Sequence, residues 1–249
     1  MKRLIGLIVA VVLGLAASGC GGPATSEKTL QVFAAASLNK VFTDLGGQFE
    51  ASHPGVTVKF NFDGSSGLVD QLKGGAKADV FASADEKNMT NAVDAKLTAG
   101  EQTIFARNVL TLVTAPGNPA KITGLDTSLT GKKLVVCAPE VPCGNATKTL
   151  ADKLNVTLKP VSQESKVTDV LGKVTSGEAD AGIVYTTDAK GAGDKVQTVA
   201  IPGAEQVVNN YPISVLAGAP ETQLAAEFVQ LVTSQAGKDV LTAAGFGMP

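Results

Sequence analysis

The stretch Leu30-Gln31-Val32-Phe33-Ala34-Ala35-Ala36-Ser37-Leu38 joins two kinds of pattern. Residues 30–34 form a short apolar run, which is typical of a buried β-strand. Apolar residues then recur at the spacing of one helix face, namely Leu38, Val41, Phe42, Leu45 and Phe49. Ser37 precedes this face and is of a residue type that caps helices, so we expect it to be the N-cap. The stretch therefore predicts a strand that passes directly into a helix.

The same alternation extends outward from this βα unit along the chain. Strands are predicted over residues 56–62, 78–82, 111–115, 133–137, 158–162, 181–185, 196–201 and 211–216. Helices are predicted after Ser65, after Asp85 as a cap, and over residues 145–154, 167–175, 221–234 and 236–244. This order indicates an α/β fold in which each sheet is mostly parallel and flanked by helices.

The N-terminus has the order of a signal peptide followed by a lipidated cysteine. Lys2 and Arg3 precede an apolar run over residues 4–17, which is short for a membrane span. Small residues then lead to Cys20, as in a lipobox. We expect a signal peptide at 1–19, a lipidated tether at 20–28 and an extracytoplasmic, membrane-anchored protein. The alternative is ordinary signal cleavage with an incidental Cys20.

Composition argues against a nucleic-acid-binding protein, and cysteine content suggests a disulfide. The net charge is -2 with 21 Lys and Arg against 23 Asp and Glu, so the sequence gives no basic patch for nucleic acid. Cys137 and Cys143 lie close together in a chain that we expect to be exported, where disulfides persist. We favour a disulfide between them, and two unlinked thiols remain the alternative.

Four short stretches share the features of an anion site at the start of a helix. They are Ala34-Ala35-Ala36-Ser37, Gly64-Ser65-Ser66-Gly67, Val141-Pro142-Cys143-Gly144 and Lys166-Val167-Thr168. Helix N-termini leave backbone N–H groups unpaired and attract anions. None of the stretches contains Arg and one contains Lys, so an oxyanion held there would be bound by neutral donors.

The chain resembles the periplasmic molybdate-binding proteins of ABC transporters, a branch of the type II solute-binding fold. Six motifs carry the resemblance in the family's order: residues 32–38, 64–66, 78–85, 141–144, 182–185 and 211–213. The resemblance implies two lobes, at 29–110 plus 213–249 and at 111–212, with the ligand in the cleft between them. It also implies a permease with its ATPase as partner, a monomeric protein, and no cofactor besides the ligand, molybdate or tungstate.

Five ligand positions carry over from the resemblance, and no bare metal cation is expected among them. Ser37 and Ser65 correspond to two serines that donate from hydroxyl and amide, and Tyr185 corresponds to a tyrosine hydroxyl. Cys143 and Val167 correspond to backbone amide donors, Cys143 standing where the family often has Ala. By side chain alone, Val167 is interpreted as a packing residue.

Three alternative functions remain open at this point. Sulfate is the nearest alternative ligand, since sulfate receptors also use neutral donors. A ferric site would need a tyrosine pair with acidic or histidine partners, whereas Tyr185 and Tyr211 are not adjacent. A lipid-anchored serine hydrolase would need a base, and the one histidine, His53, stands beside Pro54 in a predicted surface turn.

Overall fold

The computed structural model describes residues 27–249. The predicted signal peptide, Cys20 and most of the predicted tether therefore lie outside the described residues. The first strand begins at Lys28, which the sequence had assigned to the end of the tether. Within residues 27–249, no helix combines the length and the apolar character that a membrane crossing requires.

Between residues 27 and 249, ten strands and eight α-helices follow in the order expected for an α/β protein. The strands are β1 (Lys28–Ala35), β2 (Val56–Asp63), β3 (Val80–Ala82), β4 (Thr103–Asn108), β5 (Leu110–Thr114), β6 (Leu134–Cys137), β7 (Ser162–Glu164), β8 (Ala181–Tyr185), β9 (Gln197–Val199) and β10 (Asn209–Val215). The helices are α1 (Asn39–Ser52), α2 (Ser65–Lys73), α3 (Glu86–Asp94), α4 (Pro142–Lys153), α5 (Val167–Thr175), α6 (Thr186–Ala192), α7 (Thr222–Thr233) and α8 (Gln235–Ala244).

The strands form two five-stranded sheets with the same pattern of directions. Their orders are β2-β1-β3-β10-β4 and β7-β6-β8-β5-β9. In the first sheet β10 runs antiparallel to both of its neighbours, and in the second sheet β5 does the same. The other four strands of each sheet share one direction, which confirms the predicted α/β architecture with mostly parallel sheets.

Each sheet has its own apolar core, so we refer to two units. The first unit is the first sheet with α1–α3, α7 and α8, and its core includes Phe42, Phe49 and Phe228 in edge-to-face contact. The second unit is the second sheet with α4–α6, and its core includes Leu112 and Ile183. Burying each such side chain contributes about 1.5–3 kcal/mol to stability.

The chain crosses between the units twice. It leaves the first sheet after β4 and enters the second at β5, and it returns from β9 to β10. The sequence-based lobe border between residues 212 and 213 falls inside β10, all of which lies in the first sheet. The predicted lobes, 29–110 plus 213–249 and 111–212, stay a prediction.

Several elements differ from the sequence-based prediction. Ser37 is not an N-cap, because Ala36–Leu38 form a short 3₁₀ turn that leads into α1 and Ala35 precedes that turn in extended conformation. Helix α4 begins at Pro142, three residues early, since proline is well suited to the first helical position. Strand β7 begins at Ser162, the last residue of the predicted strand 158–162, and β4 and α6 were not predicted.

Candidate functional site

The four stretches that the sequence singled out meet around one small cavity between the units. Its lining includes all five candidate residues, Ser37, Ser65, Cys143, Val167 and Tyr185. The first two belong to the first unit and the other three to the second. The centre of a water molecule has about 10 Å³ in which to move there. Sites for organic ligands are commonly several hundred Å³, and this cavity is much smaller than such sites.

Helix α2 directs backbone N–H groups of the first unit toward the cavity. Its first intrahelical bond runs from the Leu68 N–H to the Gly64 carbonyl. The N–H groups of Ser65, Ser66 and Gly67 precede that bond and have no partner within the helix. They carry the partial positive charge of the helix N-terminus.

Helices α4 and α5 make the same contribution from the second unit. In α4 the first intrahelical bond runs from the Asn145 N–H to the Val141 carbonyl, so the Cys143 N–H precedes it. In α5 the first such bond runs from Asp169 to Lys166, which leaves the Val167 N–H ahead of it. Val167 is 3% exposed, and its side chain packs in the second core.

Three hydroxyl groups complete the set of neutral donors. The Ser65 hydroxyl accepts a hydrogen bond from the Ala84 N–H at 3.0 Å, so its own proton is free to point into the cavity. The Ser37 hydroxyl lies 3.0 Å from the hydroxyl of Tyr211. The Tyr185 side chain is 1% exposed. Burial raises its pKa well above the usual value, and the neighbouring Tyr211 and Asp85 add to the shift, so the hydroxyl keeps its proton.

Two charged residues line the cavity, of which Asp63 lay outside the predicted anion-site stretches and Lys166 belonged to one of them without being named as a ligand position. Asp63 ends β2, and its carboxylate accepts hydrogen bonds from the Gly64 N–H at 2.8 Å and from Gln71 Nε2 at 3.2 Å. Lys166 precedes the first residue of α5 and also lines the cavity. Asp63 could have been predicted to lie at the cavity from its position directly before Gly64, because the strand ends lead into the predicted anion-binding turns.

The structure joins Cys137 and Cys143 by a disulfide with a Cα–Cα distance of 5.7 Å. Cys137 is the last residue of β6, and Cys143 is the second residue of α4. The bond therefore links the strand to the helical turn whose N–H groups face the cavity. Gly144 permits this tight turn, since a Cβ there would lie 1.8 Å from the Ala138 carbonyl oxygen.

The two tyrosines are far apart in sequence but in contact in the structure. The rings of Tyr185 and Tyr211 meet edge to face with centroids 6.0 Å apart. Residues 27–249 contain no group of three or more His, Cys, Asp and Glu side chains arranged to hold a metal ion.

His53 has a structural contact away from the cavity. Its Nε2 lies 2.9 Å from Glu227 Oε2 in α7, and its ring stacks on Phe49 with centroids 3.9 Å apart. It does not line the cavity that contains Ser37 and Ser65. Neither serine therefore has this histidine as a base.

Comparison with known proteins gives one consistent family. Residues 30–247 match the family model described as bacterial extracellular solute-binding protein. The molybdate-binding protein ModA of Mycobacterium tuberculosis is 47% identical, with 98% of this chain and 97% of that protein covered. ModA of Escherichia coli is 34% identical, with 87% and 88% covered. The periplasmic molybdate-binding protein of Azotobacter vinelandii has a similar structure, with a TM-score of 0.76, 23% identity, and 88% and 99% covered.

Proposed function

The chain belongs to the family of bacterial extracellular solute-binding proteins, and from this membership we propose that it captures molybdate for an ABC transporter. Proteins of this family are binding proteins and not enzymes, which removes the serine hydrolase from consideration. In the proposed function, the loaded protein docks on a membrane permease and releases the ion for transport driven by the permease's ATPase.

The observation that carries the proposal is the set of neutral hydrogen-bond donors from both units that line one small cavity. A tetrahedral dianion loses its hydration on entering such a cavity, and hydrogen bonds from the protein must replace it. The hydroxyls of Ser37, Ser65 and Tyr185 and the amides of Cys143 and Val167 supply such bonds from both units. Each bond to a charged group contributes about 1.5–3 kcal/mol.

The same donors favour ions that are fully ionised. A hydrogen phosphate or another protonated ion carries a proton that needs an acceptor, whereas in the proposed arrangement the backbone amides and the three hydroxyls all donate to the ion. The Asp63 carboxylate also lines the cavity and accepts hydrogen bonds from Gly64 and Gln71. Molybdate and tungstate are dianions at neutral pH, so we propose both as ligands. Sulfate has the same charge and shape, and it remains the alternative ligand.

A calorimetric titration of the purified protein with molybdate, tungstate, sulfate and phosphate tests the function. We expect one site, tight binding of molybdate and tungstate, much weaker binding of sulfate and no binding of phosphate. Sulfate binding as tight as that of molybdate would make the protein a sulfate receptor. Tight phosphate binding would contradict the argument from neutral donors.

We also propose that the protein is a monomer anchored to the outer face of the membrane through a lipid on Cys20. One acyl chain anchors weakly, whereas the several chains of a lipidated N-terminal cysteine hold a protein firmly. In the native host, Cys20→Ser should shift the protein from the membrane fraction to the released fraction. An unchanged distribution would favour another mode of retention.

A further inference from the structure

Asn209 lies where the chain returns from the second unit to the first. It is the first residue of β10 and pairs directly with Asn108, the last residue of β4. The side chain is 6% exposed and makes two hydrogen bonds through the same nitrogen. Asn209 Nδ2 donates to the Ala84 carbonyl oxygen at 2.8 Å and to the Tyr185 hydroxyl oxygen at 3.1 Å.

The direction of these two bonds follows from chemistry. A backbone carbonyl only accepts, so the Asn209 atom that faces Ala84 is the NH₂ group and not the amide oxygen. The second N–H of that group then points at Tyr185, whose hydroxyl oxygen accepts it. Because this donor occupies a lone pair of the Tyr185 oxygen, the hydroxyl proton must point elsewhere, and Tyr185 lines the anion cavity.

We propose that Asn209 is a positioning residue that makes Tyr185 a hydrogen-bond donor toward the bound oxyanion. The inference rests on the proposed function, because it concerns the same site. Without the Asn209 N–H, the Tyr185 hydroxyl is free to turn its proton toward another acceptor. The pocket then presents an oxygen lone pair to an anion, which weakens binding.

The same amide joins the donors of the two units. The Ala84 peptide receives the Asn209 bond at its carbonyl oxygen and donates its N–H to the Ser65 hydroxyl. A continuous path of hydrogen bonds thus runs from Ser65 of the first unit through Ala84 and Asn209 to Tyr185 of the second. At both ends a hydroxyl accepts a bond from the protein, and in this proposal its own proton is donated to the ligand.

A double-mutant cycle measures whether Asn209 acts through Tyr185. The variants are Asn209→Leu, Tyr185→Phe and the double variant, each titrated calorimetrically with molybdate, tungstate, sulfate and phosphate. We expect molybdate affinity to fall about tenfold for Asn209→Leu and about ten- to a hundredfold for Tyr185→Phe. The double variant should bind within about threefold of Tyr185→Phe, because the hydroxyl that Asn209 orients is already gone.

A merely structural role gives a different result. In that case the two losses multiply in the double variant, and the inference is wrong. Asn210→Leu serves as the control, because the Asn210 side chain bonds the exposed Glu86 and Arg107 and does not line the cavity. This control should bind molybdate as the unchanged protein does.

Two further outcomes are distinguishable. If circular dichroism shows that Asn209→Leu does not fold, Asn209→Asp replaces it in the cycle. The new carboxylate accepts the Tyr185 proton, so molybdate binding should weaken more than tenfold. Unchanged binding in Asn209→Asp overturns the inference. If the unchanged protein binds none of the four anions, the proposed function fails and the inference fails with it. If the unchanged protein binds molybdate but the two losses of affinity multiply in the double variant, the inference about Asn209 is wrong and the proposed function stands.

Discussion

Gly64 of the first unit faces the carbonyl oxygen of Ser165 in the second so closely that no side chain fits between them. A Cβ atom on Gly64 would lie 2.2 Å from that oxygen and 3.1 Å from Val141 Cγ1. All real Cβ contacts are longer than the first of these distances, and a backbone carbonyl has little freedom to move away. The two units therefore meet at the rim of the cavity through a glycine.

Gly64→Ala should prevent this close approach and weaken ligand binding. The methyl group is tolerated when the units are apart, so the fold should persist while the closed arrangement loses stability. We expect molybdate affinity to fall at least tenfold, measured by calorimetry, and small-angle scattering to show less compaction on adding molybdate. Gly47→Ala is the matched control, since a Cβ there meets no atom within 4 Å. Equal affinities for the two variants would show that contact at Gly64 is not needed for binding.

Removing either serine hydroxyl should reduce affinity while the backbone amide remains. Ser37→Ala and Ser65→Ala each delete one donor to a buried dianion, at a cost of about 1.5–3 kcal/mol, or roughly ten- to a hundredfold in affinity. Ser65→Ala also leaves the Ala84 N–H without its acceptor, so it should lower the melting temperature more than Ser37→Ala does. Titration and thermal unfolding of both variants check this ranking. Wild-type affinity in Ser65→Ala would exclude that hydroxyl from the site.

Val167 allows the backbone amide to be tested by itself. Val167→Pro removes the N–H at the first position of α5, where proline is tolerated, and Lys166 before it already has an extended backbone with φ -151° and ψ 153°. Binding should fall about ten- to a hundredfold, with the helix intact by circular dichroism. Val167→Ala keeps the amide, so it should lower stability by about 1–2 kcal/mol with little effect on affinity. The opposite ranking would mean that the side chain, and not the amide, contacts the ligand.

Loss of the Cys137–Cys143 bond should weaken molybdate binding more than its small contribution to stability would suggest. A loop this short gains about 2 kcal/mol from chain entropy, whereas the bond also fixes the turn that carries the Cys143 N–H. Cys137→Ala with Cys143→Ala should therefore lose about tenfold in molybdate affinity, measured by calorimetry. A non-reduced digest of protein exported by the native host should contain the linked peptide in mass spectrometry. Two free thiols there would contradict the assignment.

Asp188 should make stability depend on pH below neutrality. Its carboxylate accepts the Tyr185 N–H, and desolvation raises its pKa to about 7. Because the folded state holds this proton more tightly than the unfolded state, the stabilisation is complete below about pH 4 and is lost as the pH rises to about 7. Asp188→Asn, which keeps the acceptor oxygen, should flatten this part of the stability curve in chemical unfolding. Parallel curves for the two proteins would exclude Asp188 as the source.

The fold was predicted from local patterns, and the residues that line the cavity were predicted from the helix-start stretches together with the family resemblance, which alone pointed to Tyr185. Apolar periodicity located β1 and α1, and small residues at strand ends located the turns around Ser65 and Cys143. Ligand contact by the five candidate residues stays a prediction. Strand β4 was missed because Thr103–Asn108 lacks a clear alternation and gains its stability from pairing with β10.

Contacts near the site between residues that are far apart in sequence could not be predicted from the sequence. Asn209 and Ala84 are 125 positions apart, and their hydrogen bond exists only because β10 returns to lie beside β3. The contact between Tyr185 and Tyr211 has the same origin, since the rings come from different sheets. No periodicity or spacing along the chain encodes such pairings.

The position of β10 between β3 and β4 also sets an order of assembly for the polypeptide as it is made. The second sheet consists of one continuous part of the chain, so it has all its strands once β9 has been synthesised. The first sheet has a gap at its fourth position until Asn209–Val215 arrives, and β4 has no neighbouring strand in the meantime. A nascent chain that ends before β10 therefore has a complete second sheet and an incomplete first sheet. The unpaired strand edge of the first sheet can pair with other chains and cause aggregation. Keeping the chain unfolded until it is finished protects it from this aggregation.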